Sequence, residues 1–151
     1  MNKMCTTIEQ SKKLMELGID TDTADMCYKC IVEDPYDLIV RPYSDWKEEY
    51  IVLLRSGDAK VYPAWSLAAL MNLLPSEFTE KGEYSETTYR IDIRKYALTD
   101  NVDIYQIAYG NYRWHEDGSC SWSDMVNSGE REELIDAVFQ MICWLKENDK
   151  L

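Results

Sequence analysis

Cys27 and Cys30 stand in a Cys-Tyr-Lys-Cys run, the spacing of half a zinc knuckle, in which two thiolates can occupy neighbouring corners of a tetrahedral site. His115 or Cys120 is available to complete such a site. A structural zinc site ordinarily shows two close-spaced ligand pairs, and here the remaining candidates are scattered, so ordinary thiols are the commoner reading and neither a metal nor a cofactor is expected. His115, the single histidine, lies between Trp114 and Glu116 and faces Cys120 across a short turn. A Cys–His nucleophile pair can be drawn there, but no Gly-rich or helix-start segment adjoins it to receive an oxyanion. Carboxylates also gather at Glu48-Glu49, at Glu116-Asp117 and at Glu130, Glu132 and Glu133. Acid–base work requires pKa values driven apart by burial, and adjacent carboxylates on a wet loop are usually a solvated face. No P-loop, dinucleotide fingerprint, HExxH, GxSxG or EF-hand loop occurs. No catalytic residue is therefore assigned, and an enzyme centred on His115 and Cys120 ranks last among the functional readings.

The aromatic residues offer a better lead. Tyr105, Tyr109, Tyr112, Trp114 and Trp122, together with Tyr43 and Trp46, are placed where a sheet face can expose them, and Tyr and Trp are enriched at binding hot spots. Packing inside the sheet is the more ordinary fate of such residues. The first group is the candidate binding face.

The elements that must position these residues follow from periodicity and capping. Thr7 and Gln10 have the spacing of a capping box, which predicts a helix starting at Ile8 and ending near Leu17, before Gly18. Leu14, Met15 and Leu17 are its expected docking face. Residues 21–30 read as either a helical turn or a strand. The segment Ser44–Leu54 fits a helix or a loop entering a strand, and a strand from Tyr50 is favoured, closed by a turn at Ser56-Gly57-Asp58. Pro63–Pro75 reads as a central, nearly all-apolar helix, with Pro63 in the first turn and Ala64, Leu67, Ala68 and Met71 on one face. Ser76–Thr87 reads as a loop. Alternation in Tyr89–Tyr96 and Val102–His115, with turns at Asp100-Asn101 and Asp117-Gly118, predicts an antiparallel meander. Leu134, Ile135, Val138, Met141, Ile142 and Leu145 form one helical stripe, preceded by glutamates where the helix dipole favours anions.

A chain of 151 residues with 46% hydrophobic residues suits a single domain over residues 1–151 with one core. The net charge of −12 repels phosphate backbones and anionic membranes, so neither direct nucleic-acid binding nor membrane binding is expected. The acidity has two readings: a solubilising surface, or an imitation of nucleic acid that occupies a basic partner. No apolar run reaches the length needed to span a bilayer and no signal-peptide pattern opens the chain. A cytoplasmic location is expected, and the odd number of cysteines, 5, favours reduced thiols.

Three stretches together resemble a family of small, functionally uncharacterised proteins carried by phages, prophages and conjugative elements of intestinal anaerobic bacteria. They are Thr7-Ile8-Glu9-Gln10-Ser11 with Leu17-Gly18-Ile19-Asp20 and Thr23-Ala24-Asp25-Met26; Pro63-Ala64-Trp65-Ser66-Leu67 with Leu73-Leu74-Pro75; and Cys143-Trp144-Leu145-Lys146-Glu147-Asn148. The resemblance implies a mobile-element origin and gives no activity or catalytic residue to carry over. The expectation is an α+β fold, with N-terminal, central and C-terminal helices on one face of a mainly antiparallel sheet. Its expected function is that of a non-enzymatic accessory protein with a protein partner. An acidic nucleic-acid mimic that inhibits a host defence or DNA-processing protein is the alternative.

Overall fold

The structure, a computed structural model, describes residues 3–31, 37–45, 51–57 and 59–151, and the side chains of residues 30–31 and 51–53 lie outside that description. The fold is α+β and entirely antiparallel in its described sheets, but in place of one sheet there are two, one of three strands and one of four. The chain falls into two compact units, Met1–Asn72 and Leu73–Leu151.

In the first unit the capping box forms as expected. Gln10 N donates to Thr7 Oγ1 (3.2 Å) and Thr7 N donates to Gln10 Oε1 (3.0 Å), which starts helix α1, Ile8–Glu16. It closes through Gly18 at φ +77°, a conformation that costs a residue with a Cβ more than glycine. The docking face differs from expectation. Leu14 is buried, but Met15 is 39% exposed and Ser11 is buried in its place. Ser11 can go inside because its hydroxyl is bonded to Thr6 Oγ1 at 2.8 Å, and the buried Thr6 hydroxyl also accepts from Trp65 N at 3.1 Å.

Residues 21–30 resolve into a 3₁₀ turn, Thr21–Thr23, followed by strand β1, Met26–Ile31. Strand β1 is flanked by β2, Asp37–Ile39, and β3, Ala59–Ala64. Between those flanking strands the expected strand from Tyr50 is replaced by helix α2, Ile51–Ser56, ended by Gly57 at φ +82°. Tyr50, Asp58, Pro35, Trp46 and Glu48-Glu49 lie outside the described residues. Apolar runs this short satisfy either period, and tertiary context decides between them.

The Pro63–Pro75 expectation also needs correction. Pro63 pairs with Cys27 and Ala64 with Met26, inside β3. A proline is tolerated there because β3 is an edge strand among the described residues. Helix α3 covers only Leu67–Leu73. Its cap is Ser66, whose Oγ accepts from Ala69 N (3.2 Å) while Asp25 holds the Ser66 amide (2.8 Å) and hydroxyl (2.5 Å). Ala69 and Leu70 are buried and Ala68 is exposed, so the buried face is rotated from the expected one.

The second unit is the expected meander with one added strand. Strand β4, Glu77–Lys81, occupies the predicted loop and pairs with β5, Glu86–Thr99. Its acidic composition hid it: one face is wet, and a single buried residue, Phe78, carries the packing. β5 pairs with β6, Val102–Trp114, through the Asp100-Asn101 turn, and β6 with β7, Cys120–Asn127, through a turn that places Gly118 at φ +81°. Helix α4, Leu134–Glu147, packs against β6. It buries Ile135, Val138, Met141, Ile142 and Leu145 as the stripe predicts, with Ala137, Phe139 and Cys143 beside them, while Leu134 is half-buried.

Phe78 lies 5.1 Å from the Tyr109 ring, 5.5 Å from Tyr89 and 6.4 Å from Trp144 of α4 (centroid distances). The helix-covered face of this sheet therefore carries Tyr89, Ile91, Ile107 and Tyr109. Because side chains alternate along a strand, the opposite face carries Arg90, Asp92, Arg94, Gln106, Gly110 and Tyr112.

A candidate binding face on the second sheet

The candidate aromatic residues separate by parity. Tyr109 is fully buried, a core residue rather than part of a binding face. Its hydroxyl donates to Pro75 O at 2.5 Å, and burial pushes its phenol well above the ordinary tyrosine range. Tyr105 shares the parity of Tyr109, is half-buried, and has the Lys95 ammonium 5.8 Å from its ring centre. Tyr112, Trp114 and Trp122 lie on the other face. Tyr112 is 66% exposed, Trp114 is 76% exposed, and Trp122 is half-buried. Tyr43, in the first unit, is half-buried, and burial raises its phenol; Trp46 lies outside the described residues.

The β6–β7 register brings Tyr112 opposite Trp122 and Trp114 opposite Cys120. The Tyr112 and Trp122 rings meet edge to face, 5.3 Å apart at 82°. Next along, Gly110 pairs with Asp124 but Tyr109 with Val126, so Met125 is an extra residue and β7 bulges there. A Cβ at Gly110 would stand 2.4 Å from Ser123 O and 2.8 Å from Cε2 and Nε1 of Trp122. Only glycine lets the indole and the β7 backbone approach β6 this closely.

The indole is held by a charged chain. Trp122 Nε1 donates to Asp124 Oδ1 at 2.6 Å, and Asp124 accepts both Nη groups of Arg94, at 2.6 and 2.9 Å. Arg94 Nε donates to Asp92 Oδ2 (2.6 Å) and its Nη1 to Gln106 Oε1 (3.2 Å), which also accepts the Tyr96 hydroxyl (3.1 Å). Bidentate charge-assisted bonds of this kind are short and directional. The Arg94 guanidinium, first, and the Trp122 N–H hold the Asp124 carboxyl below the usual carboxylate range, and Asp124 in turn raises the Arg94 pKa.

Beside this chain Thr88, Arg90, Gly110, Asn111, Tyr112 and Trp122 line a groove of about 180 Å³. Arg90 reaches Glu77 through Nε at 3.4 Å, and Thr88 Oγ1 lies 3.0 Å from Thr79 Oγ1. Sequence reasoning did not single out Thr88, Arg90, Arg94, Gly110 or Asp124. One signal for them was present: an isolated glycine in an alternating strand marks a bulge or a close backbone approach.

The chemical candidates fare differently. His115 Nε2 is bonded to Ser121 Oγ at 2.8 Å on an exposed hairpin tip where Cys120 is also exposed. The tip carboxylate Asp117 is spent on the turn, accepting Ser119 N (2.9 Å) and Oγ (2.6 Å), which lowers its pKa. Cys27 is fully buried in β1, and desolvation pushes its thiol up to about 11, opposite to what a thiolate ligand requires. The Cys30 side chain lies outside the described residues. Among the described residues no group of three or more His, Cys, Asp or Glu side chains could hold a metal ion, and no helix is long and apolar enough to cross a membrane. No family model, curated protein or solved structure matches this chain.

Proposed function

We propose that this is a cytosolic, non-enzymatic accessory protein of a mobile element, acting by binding another protein through the aromatic face of the β6–β7 hairpin. The observation that carries the reading is the arrangement of Tyr112, Trp114 and Trp122 on one sheet face. The first two are largely exposed, and the third is anchored by Asp124 and Arg94. Exposed aromatic rings cost solvation unless a partner covers them, and rigid, pre-oriented rings lose little entropy when it does. The resemblance in the α1, Pro63–Pro75 and α4 segments supports the mobile-element origin.

The test is affinity capture from a bacterial host lysate with the wild-type chain and with Tyr112→Ser/Trp114→Ser, at low and high salt. The reading expects a protein retained by the wild type at both salt concentrations and lost from the variant. Retention indifferent to the substitutions refutes it. Capture of a basic protein that ignores the substitutions and collapses with salt favours the acidic-mimic alternative.

A further inference from the structure

We infer that the groove beside Trp122 receives one aromatic side chain from a partner peptide in which an aspartate or glutamate neighbours that aromatic residue. This deepens the protein-binding reading and rests on it. The size sets the class of occupant. Small-molecule and cofactor sites are typically about 300–1,000 Å³, and a groove of about 180 Å³ is smaller than these and matches a single ring. The walls set its chemistry. Trp122 and Tyr112 stand nearly perpendicular, at 82°, so an entering ring can stack on one and meet the edge of the other. Gly110 also lines the groove, but the space over its Cα is already taken by the Trp122 indole, which a Cβ there would meet at 2.8 Å.

The charge at the rim decides the neighbour. Arg90 is the single cation in the lining, and its contact with Glu77, Nε to Oε2 at 3.4 Å, joins side chains 75% and 53% exposed. An exposed pair of that kind is weak, and a guanidinium prefers a bidentate carboxylate. Arg94, by contrast, is committed to Asp92 and Asp124. A lysine beside the anchor would meet Arg90 as a like charge; an aspartate would complement it.

The experiment is an NMR titration of the full chain, following the Trp122 indole N–H, at about 0.15 M salt so that charges beyond ~8 Å are screened. The probes are acetylated tetrapeptide amides of sequence Gly-Phe-Asp-Gly, Gly-Phe-Asn-Gly, Gly-Phe-Lys-Gly and Gly-Ala-Asp-Gly. The Phe-Asp peptide is expected to shift the indole signal, the Phe-Asn peptide to bind about 2–5-fold more weakly, and the Ala-Asp peptide to leave the signal in place. Arg90→Gln, an exposed substitution, should abolish the difference between Asp and Asn. Trp122→Ala, verified as folded by its remaining amide dispersion, should weaken the Phe-Asp peptide at least ~10-fold. Equal binding of the Asp and Asn peptides, tighter binding of the Lys peptide, or no response at Trp122 overturns the inference. If the peptides fail while Tyr112→Ser/Trp114→Ser still abolishes partner capture, the inference falls alone; if capture is also indifferent, the protein-binding reading falls with it.

Discussion

Gly110→Ala adds one methyl group at the tightest place in the second sheet. Its Cβ would lie 2.4 Å from Ser123 O and 2.8 Å from Trp122 Cε2 and Nε1. Carbon–oxygen contacts between strands settle near 3.3–3.6 Å, so β6 and β7 must separate by about 1 Å at the bulge. The carbonyl is backbone and cannot rotate away, and the indole is tied to Asp124 at 2.6 Å. Overpacking of this kind costs about 1–3 kcal/mol, against about 0.4–1 kcal/mol recovered by stiffening the unfolded chain. The net expectation is a loss of about 1–2 kcal/mol. With a urea dependence of about 2 kcal/mol/M, the unfolding midpoint should fall by about 0.5–1 M, and the Trp122 indole N–H resonance should move in native buffer. Gly118→Ala is the control, since its φ is +81° but nothing lies within 4 Å of the added carbon. It should lose stability through backbone conformation alone and leave the Trp122 resonance in place. A Gly110→Ala protein with an unchanged midpoint and an unmoved indole signal would refute the reasoning about how Trp122 is seated.

Asp124 makes stability pH-dependent with a defined sign. Its folded pKa is depressed by Arg94, so its contribution is complete above the ordinary carboxylate value of about 3.9 and is lost as pH falls towards the folded value. Urea midpoints measured from about pH 6 down to 2 should fall along an acid limb that Asp124→Asn makes shallower. Val138 and Ile142 are fully buried on α4, so Val138→Asp or Ile142→Asp should abolish the cooperative unfolding transition of the Leu73–Leu151 unit, checked by amide dispersion; a native-like spectrum would contradict the packing of α4 on β6. Alkylation of the native chain should modify exposed Cys120 well before buried Cys5, Cys27 and Cys143, and peptide mapping after a timed reaction reads the order. Thr7→Ala removes the capping box of α1 and should cost about 1 kcal/mol, read as a lower urea midpoint.

Some of this architecture is written locally. The Thr7–Gln10 cap, the closing glycine of α1, the turns at Asp100-Asn101 and Asp117-Gly118 and the α4 stripe each depend on neighbours within a few residues, so periodicity and side-chain chemistry were enough to place them. Strand alternation also held information that a list of aromatics ignores. Tyr109 and Tyr112 differ by an odd number of residues, so they cannot share a face of one regular strand. That alone separates a core tyrosine from a surface one.

What depended on partners distant in the sequence was not legible. Pro63 joined a strand because β1 offered Cys27 as its partner and left the outer edge open. Glu77–Lys81 became a strand because β5 was there to pair with it and Phe78 had Tyr109 and Trp144 to meet. The division into two sheets likewise follows from strand pairing. The candidate face is the clearest case. The sequence by itself determined that aromatic residues would alternate along β6 and that a hairpin would follow. Only the tertiary structure decided that Trp122 would come to lie over Gly110 with Asp124 and Arg94 behind it. The physical reason is that strand register, a bulge and a bidentate ion pair are set by closing contacts between segments 30 residues apart, and no local preference encodes where those contacts close.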